Sequence, residues 1–501
     1  MNNIRISLLP KWLLIAALLP ISCTVSRQPK DPALRALSKK IEQAPNDASQ
    51  LEAYLQLADP EEESTRQQFD RWMQKFPKSS AIPYAIGQAL VDKESPKAKH
   101  YLLKTIALDS TLTEVWGSLW IDAERWGDQK LGQHYLQKAV QSAPENDKYF
   151  FYYASSLRET DWASYVQKSI EVGQRFPNSE RGAQALYWLA HHSKDRKDKM
   201  HYLELLKNKF DPKRYNWSSS GMLPYLDLLL EENPQKALHL TNEMALNKEE
   251  DKSWSKYQNI VKDLLHATTL IDEQNPMAAK AILDTIKLPR YFDYNKHLAI
   301  KRAECLLLAG DTAASYESLI AHFCKEPSLT VFQAIQRFGR KSDEQLRQDI
   351  YRQLDVLAEP ATSFELADYS VQRKKISLKD YDGKVVLLTY WFPGCGPCRG
   401  EFPHFENVVR KFSKADLAYV GINISPEQQE YVVPFMTGTG YSFTPIEDTK
   451  DRVKGNLDNQ GAAPVNFLID KRGHKVFSNF RTDGNNEEDL ELMIDLLLKR
   501  I

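Results

Sequence analysis

The chain has 501 residues, more than one ordinary hydrophobic core absorbs, so two to four domains are expected. Hydrophobic residues at 42% and charged residues at 27% describe an ordinary globular composition. Lys plus Arg (66) nearly cancels Asp plus Glu (67), which leaves none of the basic excess that marks a nucleic-acid partner.

The first 23 residues stand apart. Arg5 and Lys11 give a positive start, and WLLIAALLPIS supplies the apolar stretch of a signal peptide. After it, no apolar run reaches the length of about 18 residues that a membrane-spanning helix needs. The segment ends at Ser22-Cys23, and a small residue before cysteine resembles the lipobox of bacterial lipoproteins. That resemblance implies that Cys23 takes a diacylglyceryl group and becomes the mature N-terminus. The protein would then be tethered to a membrane surface in the cell envelope or periplasm without spanning it. Pro20 stands where the motif prefers leucine, with Leu19 the nearest, so a cleaved signal peptide and an uncleaved anchor remain alternatives.

Residues 24–350 read as helix after helix, with apolar residues recurring at three and four positions and Gly or Pro in the gaps. Pro77, Ser110, Pro144, Pro177 and Asp211 follow one another at intervals of 33, 34, 33 and 34 residues. Those intervals match the period of tetratricopeptide repeats. Within one unit Trp116 and Leu119 fall on the first helix, Leu136 and Ala139 on the second, and Pro144 closes it. Gly87, Ala98, Leu102 and Ser110 repeat the design one unit earlier once a single residue is deleted, and Ala303, Leu306, Gly310, Ser315, Leu319 and Pro327 repeat it much later. Small residues would let paired helices approach, while large ones fill the space to the next pair. Residues 212–290 fit poorly, and an irregular helical bundle is the alternative. No catalytic signature stands out here, and Trp120, Trp126, Tyr152 and Tyr153 read as packing between helices.

Five cysteines are present: Cys23, Cys305, Cys324, Cys395 and Cys398. Cys305 and Cys324 would sit on opposite helices of one hairpin but roughly 10 Å apart along its axis. Two buried free thiols are therefore expected.

Near residue 360 the pattern changes, and residues 361–501 read as a separate α/β domain. KVVLLTYWF is a buried-strand signal, followed by the helix CRGEFPHFENVVRKF, the strand LAYVGINIS and the helix EQQEYVVPFM. A short strand near FTPIE, the strand pair PVNFLID and KVFSNF, and the helix EEDLELMIDLLLKRI complete it. Strands alternating with helices predict a layered fold around a central sheet.

Cys395-Gly396-Pro397-Cys398 lies where the first strand meets the first helix of this domain. Unpaired N–H groups and the dipole at a helix start stabilise a thiolate, so Cys395 is expected to be exposed, with a lowered pKa, and nucleophilic. Cys398, one turn in, is expected to be sheltered and to resolve the intermediate. Two cysteines cannot complete a structural zinc site, and no second pair or His cluster lies near in sequence.

Around this motif the chain resembles the TlpA/ResA-like extracytoplasmic thioredoxins. GKVVLLTYW precedes it, Glu401-Phe402-Pro403 follows it, and Ala463-Pro464 precedes a later strand. The resemblance implies a thioredoxin fold with Pro464 as a cis-proline facing the cysteines, Pro403 within the motif's helix, and Glu401 as proton acceptor for the resolving thiol. Gly394 replaces the tryptophan that thioredoxin carries before its first cysteine, and Thr389 replaces its buried aspartate. His404 is expected at the surface.

The combined reading is a multidomain protein, all-α repeats followed by a thioredoxin fold, acting as an exported, lipid-anchored thiol-disulfide oxidoreductase. Its partners would be protein thiols and disulfides, a membrane surface, and a protein docked on the repeats, with no nucleic acid, cofactor or metal. Gly-Pro between the cysteines is thioredoxin's own dipeptide, with a potential of about −270 mV against about −120 mV for strong oxidants. That favours a reductant, and the resemblance suggests cytochrome c maturation. A repeat-based scaffold with a passive thioredoxin fold is one alternative. A thiol peroxidase is the other, although it wants a Thr/Ser-x-x-Cys hydroxyl that is missing ahead of Cys395.

Overall fold

A computed structural model describes residues 31–246 and 252–500. The signal peptide and lipidation expectations, Cys23 included, lie outside the described residues. Among the described residues no helix is long and apolar enough to cross a membrane.

The chain divides into two compact units, one ending at Ala85 and the other beginning at Ile86. In the first, helices Pro32–Gln43 and Ala48–Leu57 start on acceptors that the sequence supplies, and helix Glu63–Lys75 follows them without a side-chain cap. Asp31 accepts from Ala33 N and Asp47 from Ser49 N. Tyr54, Phe69 and Trp72 close its core, with ring centroids 5.0–5.9 Å apart.

The second unit begins with helices in hairpin succession, ending at Asp343–Leu357. Asp128, Asn146, Asp161, Ser179, Asp195 and Asp311 each cap a helix start through the side chain. Leu119, Leu136 and Ala139 are fully buried between Thr113–Arg125 and Gln129–Ser142. Small residues sit where helices approach: a Cβ on Gly117 would come within 2.5 Å of the Tyr149 hydroxyl. Between 212 and 290 the helices depart from the common length. Asn216–Glu232 has 17 residues and an internal Pro224, and Lys252–Asp272 has 21, which is why a fixed interval fails there. Cys305 and Cys324, on helices Tyr294–Leu308 and Thr312–Lys325, are buried free thiols.

The strands are β1 Glu359–Pro360, β2 Glu365–Ala367, β3 Lys375–Ser377, β4 Val385–Trp391, β5 Leu417–Asn423, β6 Thr444–Glu447, β7 Val465–Ile469 and β8 His474–Ser478. Six form one sheet in the order β1-β8-β7-β4-β5-β6, and β2 pairs with β3. β5 runs parallel to both β4 and β6, while β7 is antiparallel to both β4 and β8. Every residue of β4 is buried because both faces are covered. Val385, Leu387 and Trp391 join Phe402, Phe405 and Ile494 on one side. Val386, Leu388 and Tyr390 join Ile422, Ile446 and Phe467 on the other.

Within this unit the helical half packs on the sheet half. Trp126 lies edge-on to Tyr431 of helix Gln429–Thr439, with centroids 5.1 Å apart, and the Tyr431 hydroxyl donates to Asp122 at 3.3 Å. Backbones nearly touch beside them: a Cβ on Gly438 would sit 2.9 Å from the Gly127 carbonyl oxygen. On the other flank Asp489 and Asp495 of helix Glu487–Lys499 accept from Leu329 N (2.6 Å) and Arg347 (3.0 Å).

Candidate active site

β4 ends at Trp391, and after Phe392-Pro393-Gly394 the chain turns into helix Gly396–Val409. Cys395 is the N-cap of that helix, and Pro397 sits in its first turn, where no N–H is needed. Cys395 Sγ accepts from Cys398 N at 3.2 Å, and the two cysteines form a disulfide with Cα atoms 5.3 Å apart. Cys398 is fully buried, as the sequence suggests. Cys395 is not the exposed thiol expected: only 2% of it is accessible. Its sulfur turns inward over the helix start, and its neighbour is pinned, because Gly394 N donates to Gln428 Oε1 at 2.6 Å. Gln428 in turn donates to the Glu94 carboxylate from the helical half.

The Ala463–Pro464 peptide is cis. β7 begins at the next residue, Val465, which pairs with Tyr390 on β4. Pro464 therefore stands at the end of the strand pair from which the chain leads to Cys395.

Glu401 lies one turn beyond Cys398 and is 6% exposed. Its Oε2 accepts from Asn466 Nδ2 at 3.0 Å and its Oε1 from Thr482 N at 3.1 Å, with Arg481 3.5 Å away. Burial raises its pKa, although Asn466, Arg481 and Thr482 all pull the other way. Asn466 is opposite Thr389 in the β4–β7 register, and both are buried. Thr389 is thus an uncharged interior residue beside Asn466. His404 is less exposed than expected, with Nδ1 2.7 Å from Glu487 Oε1 and 18% side-chain exposure. The C-terminal helix packs against this face and draws it in.

Sequence reasoning missed Asn466, Thr482, Gln428 and Glu124, whose carboxylate pairs with Arg399 in the first turn after the cysteines. One signal was available: Asn466 is a polar residue in the otherwise apolar run PVNFLID. Among the described residues no group of three or more His, Cys, Asp or Glu side chains is placed to hold a metal.

Residues 357–476 match the AhpC/TSA family. The thiol-disulfide oxidoreductase ResA of Geobacillus kaustophilus is 31% identical over 133 residues, which is 26% of this chain and 74% of that protein. The chain belongs to the ResA family of thiol-disulfide oxidoreductases. The ResA of Bacillus subtilis is 34% identical over 116 residues, 23% of this chain and 63% of that protein. A thiol:disulfide interchange protein of the thioredoxin family from Chlorobium tepidum aligns at 23% identity with a TM-score of 0.25, covering 28% of this chain and 97% of its own. The residues matched by the family, 357–476, lie in the C-terminal region that holds the six-stranded sheet, and the long helical half lies outside them.

Proposed function

We propose that this enzyme exchanges a Cys395/Cys398 dithiol for the disulfide of partner proteins, acting as their reductant. Cys395 thiolate attacks one sulfur of the partner disulfide, that S–S bond breaks, and the first partner thiolate leaves. Cys398 then attacks Cys395 Sγ, which releases the second partner thiol and closes the intramolecular disulfide. The partner gains two electrons, and a dithiol donor must restore the pair. The observation that carries this reading is the CGPC disulfide at a strand-to-helix joint, with a buried carboxylate one turn further on. Glu401 takes the Cys398 proton, since a carboxyl of raised pKa is matched to a thiol better than an ordinary one. Pro464 presents the backbone against which a substrate strand lies.

The finer reading assigns residues 1–23 to a signal peptide, with Cys23 lipidated and the protein held at the envelope membrane. Residues 24–350 form a tetratricopeptide-like docking arm, and residues 361–501 the redox domain. Reduction of apocytochrome thiols for cytochrome c maturation is the role that the resemblance suggests.

Trapping tests the exchange. In cells, Cys398→Ser leaves the nucleophile without its resolving thiol, so partner-sized adducts should build up on non-reducing gels and vanish with reductant. Adducts formed by Cys395→Ser in place of Cys398→Ser would reverse the two roles. Adducts with neither variant would refute the exchange. The AhpC/TSA match favours one second reading, thiol peroxidase, and consumption of peroxide by the purified protein would establish it.

A further inference from the structure

Beside the cysteines the helical half and the thioredoxin fold enclose a cleft of about 420 Å³, within the size range of specific ligand sites. Its floor is the backbone of Gly396, between the two cysteines, and of Gly400, four residues on along the same helix. A Cβ built on either glycine meets nothing within 4 Å, so the space above both is open. Trp120 and Tyr152 form the opposite wall, their rings 4.5 Å apart, and Tyr441 closes one side. The Trp120 indole N–H is buried without a partner among the described residues.

The charges of the lining are almost all spoken for. Arg399 pairs with Glu124, and Arg158 with Glu159 at 2.6 Å. Lys130 is exposed at the rim with no carboxylate partner among the described residues. The cleft thus offers aromatic faces and one net positive charge, starting one residue from Cys395.

We propose that the helical half supplies a wall of the substrate site, and that this cleft takes an extended segment flanking the disulfide cysteine of a partner polypeptide. The segment carries an apolar or aromatic residue against Trp120 and Tyr152, and an acidic residue against Lys130. Its backbone passes over Gly396 and Gly400, where a side chain would obstruct it. This rests on the dithiol-exchange reading and adds to it the selection of the substrate.

The test compares three disulfides with the full chain: hydroxyethyl disulfide, and two cystine-linked peptides alike except for Glu or Lys within four residues of the cysteine. The protein is reduced beforehand and freed of reductant, and the quantity read is the second-order rate constant for oxidation of its Cys395/Cys398 dithiol by each peptide, as a ratio to that for hydroxyethyl disulfide. Gly400→Leu fills the cleft from a helical position where glycine is itself unfavourable, so the fold tolerates it. It should lower both ratios at least about tenfold, the scale of an overpacked contact. Lys130→Glu, on the exposed rim, should turn a preference for the Glu peptide into one for the Lys peptide, by about threefold to tenfold. Ratios unmoved by both variants would overturn the cleft and leave the exchange standing. Wild-type protein that reduces none of the three would overturn the exchange, and this proposal with it.

Discussion

Asp122 offers a quantitative test of how the helical half is held against the redox half. It is 4% exposed on helix Thr113–Arg125, and its Oδ1 accepts from Trp126 Nε1 at 3.1 Å and from the Tyr431 hydroxyl at 3.3 Å. Lys99 stands 3.8 Å from Oδ2. Burial pushes its carboxyl from 3.8 up to about 6, against the opposing pull of Lys99, Trp126, Tyr431 and Arg125. A folded value above the free one means that the native state favours the protonated acid. The stability this contributes is complete below about pH 3.8 and is lost as pH rises through about 6. The distance between those values, at about 1.4 kcal/mol per pH unit, is ~3 kcal/mol. Asp122→Asn keeps an acceptor for Trp126 and Tyr431 and removes the charge. Relative to wild type, the variant should therefore gain ~2.5 kcal/mol between pH 4 and pH 8, since at pH 4 a little of the contribution is already lost. Urea unfolding of the full chain at both pH values, followed by tryptophan fluorescence, measures it. An equal difference at pH 4 and pH 8 would refute a buried ionised Asp122 at this joint.

Glu401→Gln should slow disulfide exchange more at pH 7 than at pH 9, where the resolving thiol ionises unaided; an unchanged pH–rate profile would remove Glu401 from proton transfer. The same substitution should shift the melting temperature upward, relative to wild type, on going from pH 4 to pH 7, because burial penalises the Glu401 carboxylate and spares the amide. Cys23→Ser should move the protein from the membrane pellet to the soluble fraction after cell breakage, and its retention in the pellet would argue against a lipid anchor.

Local signals fared well wherever a short stretch carries its own physics. KVVLLTYWF announces a strand covered on both faces, and Val385–Trp391 is buried throughout. The motif at its end announces a helix start, and Cys395 is the cap. Signals also failed locally: a fixed interval could not follow helices of 17 and 21 residues, whose lengths are set by what they pack against.

By itself the sequence determined the change from helical to alternating periodicity near residue 360 and the CGPC pair, and through resemblance it pointed to Glu401 and Pro464 as candidates. Each of these is written in residues a few positions apart, where backbone geometry alone decides what can follow. Only the tertiary structure decided that Cys395 is covered, that Asn466 and Thr482, 65 and 81 residues from Glu401, hold its carboxylate, and that Gln428 joins Gly394 to Glu94 across 334 residues. Such contacts form because burial brings distant polar groups into a space with little water, where each must find a partner or be penalised. No periodicity records which partner that will be.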